Sequence, residues 1–390
     1  MSSSDAPAAP ERIPLAEPVI GGNALAYLRT CIETNYVSSV GPFVERFEQA
    51  FAAAVGARHA VACASGTAAI HLALRVLDVG RGDEVLVPTL TFVASANPVS
   101  YVGATPVLVD AEPRTYNMDP ALVVAELDRR AAAGLRQPAA IEVVHLVGHP
   151  ADLEPVLHAA ARPGVPVVEA ATEALGARYV GGALDGRHVG TLGRVGCFSF
   201  NGNKLITTGG GGMLVTDDEA LARRARHLST QARLPGPAYD HDEVGYNYRL
   251  SNVAAALGLA QLEELPALLA GRHANAAAYD AAIAAVPALR PAPRAAWADP
   301  SFWLYTAALE PRQAPVDRDT LLRRLAAGGI EARPIWTPLH RTRVLRDAPR
   351  LGGEVAEGIF DVAFSLPSSS NLDEARRARV VGTLTAALAG

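Results

Sequence analysis

The sequence has few cysteines, no long apolar run and no concentration of positive charge. Its three cysteines, Cys31, Cys63 and Cys197, are far apart and lack a CxxC spacing, so we expect buried thiols in a reducing compartment and neither a disulfide nor a metal site. Lys and Arg number 35 against 40 Asp and Glu, a net charge of -5, and no basic stretch is typical of nucleic-acid binding. No uninterrupted apolar run reaches the roughly 18 residues of a membrane span, and the first residues do not resemble a signal peptide. These absences predict a cytoplasmic protein that binds neither nucleic acid nor membrane.

The composition is that of a folded enzyme-sized chain. Of its 390 residues, 49% are hydrophobic and 19% charged, which predicts about two or three domains with a sizeable core. Short β-branched runs alternate with amphipathic segments through the first half of the chain. Strands that alternate with helices of 10–15 residues indicate an α/β fold with a mostly parallel sheet. The strand-like runs are 59–64, 84–88, 105–109, 140–146 and 165–169.

Changes in composition predict four segments along the chain. Residues 1–14 read as a flexible N-terminal tail and residues 15–252 as the large domain. A long Ala- and Leu-rich helical segment, 253–287, is expected to bridge to a smaller α+β domain, 288–390, and to kink or split at Pro266.

The first candidate site lies between a strand ending near Ala64 and a helix starting near Ala68. The run Ser65-Gly66-Thr67 would combine free backbone N–H groups, a glycine that permits close approach, and a hydroxyl, which together suit a phosphate. An ordinary N-cap, in which Ser or Thr satisfies the helix terminus without any ligand, explains the same residues. The motif alone does not decide between these interpretations.

The second candidate site surrounds a single lysine, Lys204. It lies between the apolar run Cys197–Phe200 and the four glycines Gly209–Gly212. A flexible backbone lets a ligand approach there, and burial would lower the pKa of the amine, as a lysine that forms a Schiff base requires. A solvated lysine beside a linker is the alternative, but strand-like residues on both sides favour a site. A third cluster, Gly245–Ser251, could by itself be a structural turn.

Six motifs follow one another along the chain. They are SGTAAIHLAL (65–74), GDEVLVPTLTFVASAN (82–97), YVGATPVLVD (101–110), GHPADL (148–153), GCFSFNGNKLITTGGGGMLVTDDEAL (196–221) and GYNYRLSN (245–252). In this order they resemble the DegT/DnrJ/StrS family of pyridoxal-phosphate (PLP) enzymes, and the resemblance extends from about Ile20 to the end of the chain. It implies the aspartate-aminotransferase-like fold (fold type I) and amino transfer to a nucleotide-linked keto sugar, most like members that aminate C4 of UDP-linked 4-keto-6-deoxy sugars.

The resemblance also implies residue roles. Lys204 would be the Schiff-base lysine and proton shuttle, Phe92 would stack on the pyridine ring, and Glu173 would lie near the 3′-oxygen of PLP. Asn247 would reach the phosphate from a partner subunit, which implies a homodimer with shared active sites. The full expected cofactor-binding set is Gly66, Thr67, Ala68, Phe92, Ala170, Glu173, Ser199, Asn201, Lys204 and Asn247.

One position departs from the family pattern. The aspartate that pairs with the pyridinium nitrogen falls on Ala170, and its absence should weaken PLP as an electron sink. Glu169 cannot simply substitute, because adjacent side chains on a strand point to opposite faces. Glu173 or an ordered water are the other candidates for pairing with the ring nitrogen. The sequence therefore leaves open a slower aminotransferase, a member whose chemistry needs no strong sink, and a poorly active binder.

Three functions remain open at this point. The first is a sugar aminotransferase that uses an amino-acid donor, expected to be glutamate. The second is another reaction of the same scaffold, such as dehydration, against which the presence of Lys204 counts. The third is a non-catalytic binder, which Ala170 alone favours. Five residues are expected to contact the substrate: Val37, Ser38, His241, Trp336 and His340. Loop packing explains the same residues equally well.

Overall fold

The computed structural model describes residues 11–389, and these contain 14 strands and 12 α-helices. The strands are β1 (His59–Cys63), β2 (Glu84–Pro88), β3 (Thr105–Val109), β4 (Ala140–Val144), β5 (Val167–Ala170), β6 (Arg178–Tyr179), β7 (Val195–Ser199), β8 (Gly212–Thr216), β9 (Leu289–Pro291), β10 (Ala298–Asp299), β11 (Tyr305–Leu309), β12 (Arg333–Pro334), β13 (Arg350–Leu351) and β14 (Ala363–Leu366).

Five of the helices begin at a residue whose side chain caps the helix. Ser65, Asp119, Asp218, Ser251 and Asp317 each accept a hydrogen bond from a backbone N–H of the following helix, which satisfies donors that lack an intrahelical partner. The helices are α1 (Ala24–Glu33), α2 (Pro42–Val55), α3 (Gly66–Val76), α4 (Asn97–Tyr101), α5 (Pro120–Ala132), α6 (Glu154–Ala161), α7 (Glu219–Ser229), α8 (Asn252–Glu263), α9 (Leu265–Ile283), α10 (Arg318–Ala327), α11 (Glu354–Val362) and α12 (Glu374–Ala389).

An eight-stranded sheet forms the centre of the large domain, with the order β1-β8-β7-β5-β4-β2-β3-β13. All neighbours from β7 to β13 pair in parallel, and only β8 runs antiparallel to its two neighbours. Helices cover both faces, as a parallel sheet requires. The predicted α/β fold with a mostly parallel sheet is therefore confirmed.

Alternation along the strands separates the two faces of this sheet. On β5, Val167 packs into the core beneath α2, α6 and α8, whereas Val168 and Ala170 pack into the core beneath α3 and α7. We call these the α2 face and the α3 face. Because successive side chains alternate, Glu169 belongs to the α2 face and Ala170 to the α3 face.

A second sheet, β12-β14-β11-β9, is entirely antiparallel and packs against α9, α10 and α12. The helices α8 and α9 precede it and meet at 61°, with the break at Glu264. Within residues 11–389, no single helix has the length and apolarity to cross a membrane, and only the bent α8–α9 pair meets those criteria jointly.

Two observations bear on the predicted segments. Most of the predicted tail, residues 1–10, lies outside the described residues, but Ile13 is fully buried, and its N–H donates to the Gly329 carbonyl at 2.9 Å. The tail prediction is wrong at that residue, because an apolar side chain fills the small-domain core. Strand β13 lies within the predicted segment 288–390 yet pairs with β3 of the large sheet. The boundaries 15–252, 253–287 and 288–390 stay a prediction.

Candidate active site

A cavity of about 420 Å³ opens on the α3 face, where β5 and β7 end. Ligand sites of open α/β sheets occur at the carboxyl ends of the strands, and this cavity lies there. Eight of the predicted site residues line it: Gly66, Thr67, Phe92, Glu173, Ser199, Asn201, Lys204 and Trp336. The structure thus brings together residues that are up to 270 positions apart in the chain, 66 to 336.

The N-terminus of α3 forms one wall of the cavity. Ser65 is its N-cap, and its hydroxyl accepts from the N–H of Ala68 at 3.0 Å, so the N-cap interpretation holds for Ser65. Gly66 and Thr67 face the cavity together with Ser199. A Cβ on Gly66 would lie 2.7 Å from the Ser199 Cβ, so only glycine fits. The cap does not exclude the phosphate interpretation, which stays a prediction, because Thr67 and Ser199 also line the cavity.

Lys204 extends its amine into the cavity and over an indole ring. Its Nζ lies 3.8 Å from the centroid of the Trp303 ring, and the Trp303 indole N–H donates to the Asn203 carbonyl at 2.7 Å. Burial lowers the pKa of the Lys204 amine, while the Glu173 carboxylate opposes that shift. The amine therefore loses its proton more readily than a solvated lysine.

Glu173 is buried beside the lysine and holds two elements together. One carboxylate oxygen accepts from the Val147 N–H at 2.8 Å, and the other accepts from the Trp336 indole N–H at 3.2 Å. Burial raises the pKa of the Glu173 carboxyl, although Lys204 and both hydrogen bonds act in the opposite direction. Val147 has a left-handed backbone, φ 48° and ψ 20°, which a β-branched residue rarely adopts. The backbone is strained where it meets Glu173.

Aromatic side chains form another part of the cavity wall. Phe92 is half exposed, and its ring centroid lies 5.0 Å from that of Trp336. Trp336 in turn stacks on Trp303 at 6.3 Å with 22° between the ring planes. A planar or sugar-like ligand would meet an apolar surface on this side.

Ala170 ends β5 just beneath the cavity. It is fully buried and does not line the cavity surface. Its neighbour Glu169 points to the α2 face, where its carboxylate accepts from His145 and from the N–H groups of Gly190, Leu192 and Gly193. Glu169 is therefore fully occupied elsewhere, as the alternation of the strand predicts.

Several predicted residues do not reach this cavity. Ala68 is buried within α3, and Val37, Ser38, His241 and Asn247 are exposed outside it. The Asn247 role requires a second subunit and stays a prediction, as do the substrate contacts of the other three exposed residues.

The environment of His340 does not support its expected role in binding substrate. Its side chain is buried, Nδ1 is hydrogen-bonded to the Thr89 hydroxyl at 2.6 Å, and Nε2 to the Glu357 carboxylate at 2.8 Å. Both ring nitrogens are used in packing α11 against the end of β2, so loop packing is the correct interpretation here.

Among the residues that line the cavity, the predicted site set lacks four polar or aromatic side chains that follow no phosphate motif: Ser95, Thr172, Asn203 and Trp303. Asn203 and Thr172 lie next to predicted residues and could have been included by proximity. Trp303 belongs to an aromatic run, 302–306, but nothing local connects that run with Lys204. Its position depends on how the small domain packs on the large one.

The residues present fit PLP. A helix N-terminus with a glycine and two hydroxyls suits its phosphate, the half-exposed ring of Phe92 suits a planar heterocycle, and the Lys204 amine suits its aldehyde. These groups share one cavity, with the amine's pKa lowered in the direction that Schiff-base formation needs.

Comparisons with known proteins agree with this geometry. The model of the DegT/DnrJ/EryC1/StrS aminotransferase family matches residues 18–385. GDP-perosamine synthase of Caulobacter vibrioides is 41% identical over 374 residues, 96% of this chain and 97% of the relative. The aminotransferase TlmJ from Streptoalloteichus hindustanus superposes with a TM-score of 0.86 at 30% identity, covering 97% and 99% of the two chains. Spr1654 from Streptococcus pneumoniae, solved in a PLP-form, superposes with a TM-score of 0.86 at 25% identity, and the match covers 96% of this chain and 98% of that one. The chain therefore belongs to the DegT/DnrJ/EryC1/StrS aminotransferase family and is a PLP-dependent transferase.

Proposed function

We propose that the protein transfers the amino group of glutamate to C4 of a nucleotide-linked keto-deoxy sugar. The observation that carries the proposal is the Lys204 amine, which shares one cavity with the N-terminus of α3 and with the aromatic rings of Phe92, Trp303 and Trp336. Amino transfer needs an amine that can release and accept protons beside a bound planar cofactor, and this arrangement provides one.

The side chains that line the cavity would have different roles in amino transfer. PLP, when bound, supplies a carbonyl that takes up the amino group and a ring that withdraws electrons. Gly66, Thr67 and Ser199 would hold its phosphate. Lys204 Nζ would accept and return the proton, since burial lowers its pKa. Glu173 would orient the cofactor from the side, held in place by Val147 and Trp336.

A nucleotide-linked sugar is supported by the relatives and by the aromatic wall. Two relatives that are 41% and 36% identical are named GDP-perosamine synthases, which favours a GDP-linked amino sugar as product over the UDP-linked class expected from the motifs. Sugar faces and nucleobases both pack on aromatic rings, and Phe92 and Trp336 present such rings at the cavity. Dehydration and non-catalytic binding are not favoured, since the relatives carry names of synthases and aminotransferases and Lys204 is present.

We also propose a homodimer with shared active sites. Asn247 is exposed and lies outside the cavity of its own chain, which is compatible with a contact to the phosphate site of a second copy. A twofold-symmetric pair would provide that contact twice.

The proposal is tested by incubating the PLP-loaded protein with glutamate and a GDP- or UDP-linked 4-keto-6-deoxy sugar. We expect 2-oxoglutarate and a 4-amino sugar in equal amounts, with the GDP-linked substrate preferred. Lys204→Ala is the control and should form neither product. A dehydrated sugar, or sugar conversion without 2-oxoglutarate, would contradict amino transfer.

A further inference from the structure

Glu142, in the middle of β4, is a buried acid without a partner. Its side chain is 0% exposed, and neither carboxyl oxygen has a hydrogen-bond partner. Leaving a carboxyl buried and unpaired is costly, and such groups are normally hydrogen-bonded or neutral. Burial accordingly raises the pKa of the Glu142 carboxyl well above its usual value. None of the roles described so far uses this acid.

The direction of the Glu142 side chain follows from the register of the sheet. Its strand neighbours two positions away, Ala140 and Val144, belong to the core of the α3 face, so Glu142 lies on that face too. Val144 pairs with Ala170 and Glu142 with Val168 on β5. Glu142 is thus on the strand next to Ala170, on the same face, and two residues below it.

Cys197 places a third strand in the same row. Strand β5 lies between β4 and β7, and Ala170 pairs with Cys197 on β7. Ala170 and Cys197 both belong to the core of the α3 face. Glu142, Ala170 and Cys197 therefore lie on three adjacent strands and on one face of the sheet.

Ser95 connects this acid to the cavity. Ser95 lies close enough to the Glu142 carboxyl to lower its pKa, although neither carboxyl oxygen meets the geometry of a hydrogen bond. The Ser95 hydroxyl is hydrogen-bonded to the Thr91 hydroxyl at 3.0 Å. Ser95 itself lines the cavity wall. The unpartnered acid is therefore adjacent to the cavity floor, on the side of Ala170.

We propose that Glu142 supplies the carboxylate for the PLP ring nitrogen, in place of the side chain that Ala170 lacks. The inference rests on the cavity being the PLP site. A PLP enzyme commonly places an acidic or basic residue against the ring nitrogen, and within β4, β5 and β7 Glu142 is the only acid on this face. Glu173 also lines the cavity, but its two carboxylate oxygens already accept from Val147 and Trp336. When PLP is bound, the Glu142 carboxyl would give its proton to the ring nitrogen, which would leave a carboxylate beside a pyridinium. Glu142 is thus a positioning and protonating residue supplied by a neighbouring strand.

The experiment compares ring protonation in the native protein and in Glu142→Gln. Protein is loaded with PLP labelled with ¹⁵N in the ring, and the nitrogen resonance is recorded together with the rate of amino transfer from glutamate in a single turnover. We expect the native resonance in the pyridinium range and the Glu142→Gln resonance in the pyridine range. The single-turnover rate should fall roughly ten- to a hundredfold, the equivalent of one charged hydrogen bond.

The matched control is Glu126→Gln. Glu126 is a buried glutamate on α5, which packs on the α2 face, and its substitution should leave the ring resonance unchanged. The double variant Glu142→Gln with Ala170→Asp should recover the pyridinium resonance and most of the rate. Unchanged resonance and rate in Glu142→Gln would overturn the inference.

A second arm does not depend on the folding of Glu142→Gln. Ala170→Asp in the native background would place a second carboxylate beside Glu142, so we expect no acceleration, or a slower single turnover. A ten- to hundredfold acceleration would show that the ring nitrogen has no partner in the native protein and would overturn the inference. Failure of the native protein itself to accept an amino group from glutamate would instead contradict the proposed function.

Discussion

The substitution Glu169→Gln tests how the end of β5 is held in place. Glu169 is fully buried, and its two carboxylate oxygens accept four hydrogen bonds. One oxygen accepts from Leu192 and Gly193 at 2.6 and 2.5 Å, and the other from Gly190 N–H and His145 Nε2 at 2.7 and 3.0 Å. Glutamine keeps the shape but has only one acceptor oxygen. Its NH₂ group must face two donors.

The histidine cannot adjust to the change. His145 Nδ1 accepts from the Ala151 N–H at 3.0 Å, which fixes the proton on Nε2 and makes that nitrogen the donor to Glu169. With glutamine present, this N–H and the Gly190 N–H are both buried without an acceptor. Each unsatisfied donor costs about 1–3 kcal/mol. With two such donors, we expect Glu169→Gln to lower the free energy of unfolding by about 2–6 kcal/mol.

The assay is urea denaturation of the cofactor-free protein near neutral pH, at one fixed protomer concentration, because oligomerisation shifts apparent stability. Glu142→Gln is the matched comparison on the neighbouring strand. Its carboxyl accepts no hydrogen bond and burial raises its pKa, so the neutral amide should change stability by less than about 1 kcal/mol. A loss below about 1 kcal/mol for Glu169→Gln, or equal losses in both variants, would refute the hydrogen-bond reasoning.

Three further predictions concern the acid range, the phosphate site and the dimer. The pKa of the Glu169 carboxyl is lowered, since its hydrogen bonds outweigh desolvation. Its contribution to the free energy of unfolding is therefore complete above the pKa of the unfolded state, about 4.3, and is lost as the pH falls below that value. The urea midpoint should drop with acidification in the native protein and should drop less in Glu169→Gln. Gly66→Ala places a Cβ 2.7 Å from Ser199 and should weaken PLP affinity at least tenfold in a fluorescence titration, whereas unchanged affinity would remove Gly66 from the phosphate site. The Lys204→Ala and Asn247→Ala variants should each be inactive alone, but a mixed dimer with one subunit of each should regain activity. One of its two sites then combines an intact Lys204 with an intact Asn247 from the other subunit. No recovery after verified subunit exchange would refute the shared site.

The sequence predicted the strands that depend on local pattern. The runs 84–88 and 105–109 match β2 and β3 residue for residue, and 59–64 matches β1 to within one position. Their β-branched residues are buried on both faces, so periodicity and composition indicate the same element. The antiparallel direction of β8 and the return of β13 to the large sheet could not be predicted in this way, because they depend on contacts between distant segments.

The site was predictable where a motif is contiguous and not where it is assembled across domains. Lys204, Gly66 and Ser199 lie in recognisable motifs and do line the cavity. Trp303 approaches Lys204 only because the small domain packs there. Glu142 did leave a signal in the sequence, since it is a single acid within the apolar run 140–146, but its relation to Ala170 requires the register of two strands.

The short strand β13 has a consequence for how the chain is made. It pairs with β3 at the edge of the large sheet, and Asp110, just after β3, accepts hydrogen bonds from the backbone of Gly353 and Ala356. The strand that covers this edge of β3 is therefore synthesised some 240 residues later, because β13 consists of Arg350 and Leu351 and β3 ends at Val109. Until then β3 is an open edge with unpaired backbone groups, the feature that recruits other strands and promotes aggregation. A nascent chain stopped before residue 350 would expose that edge, so a short C-terminal segment protects a strand that is completed by residue 109.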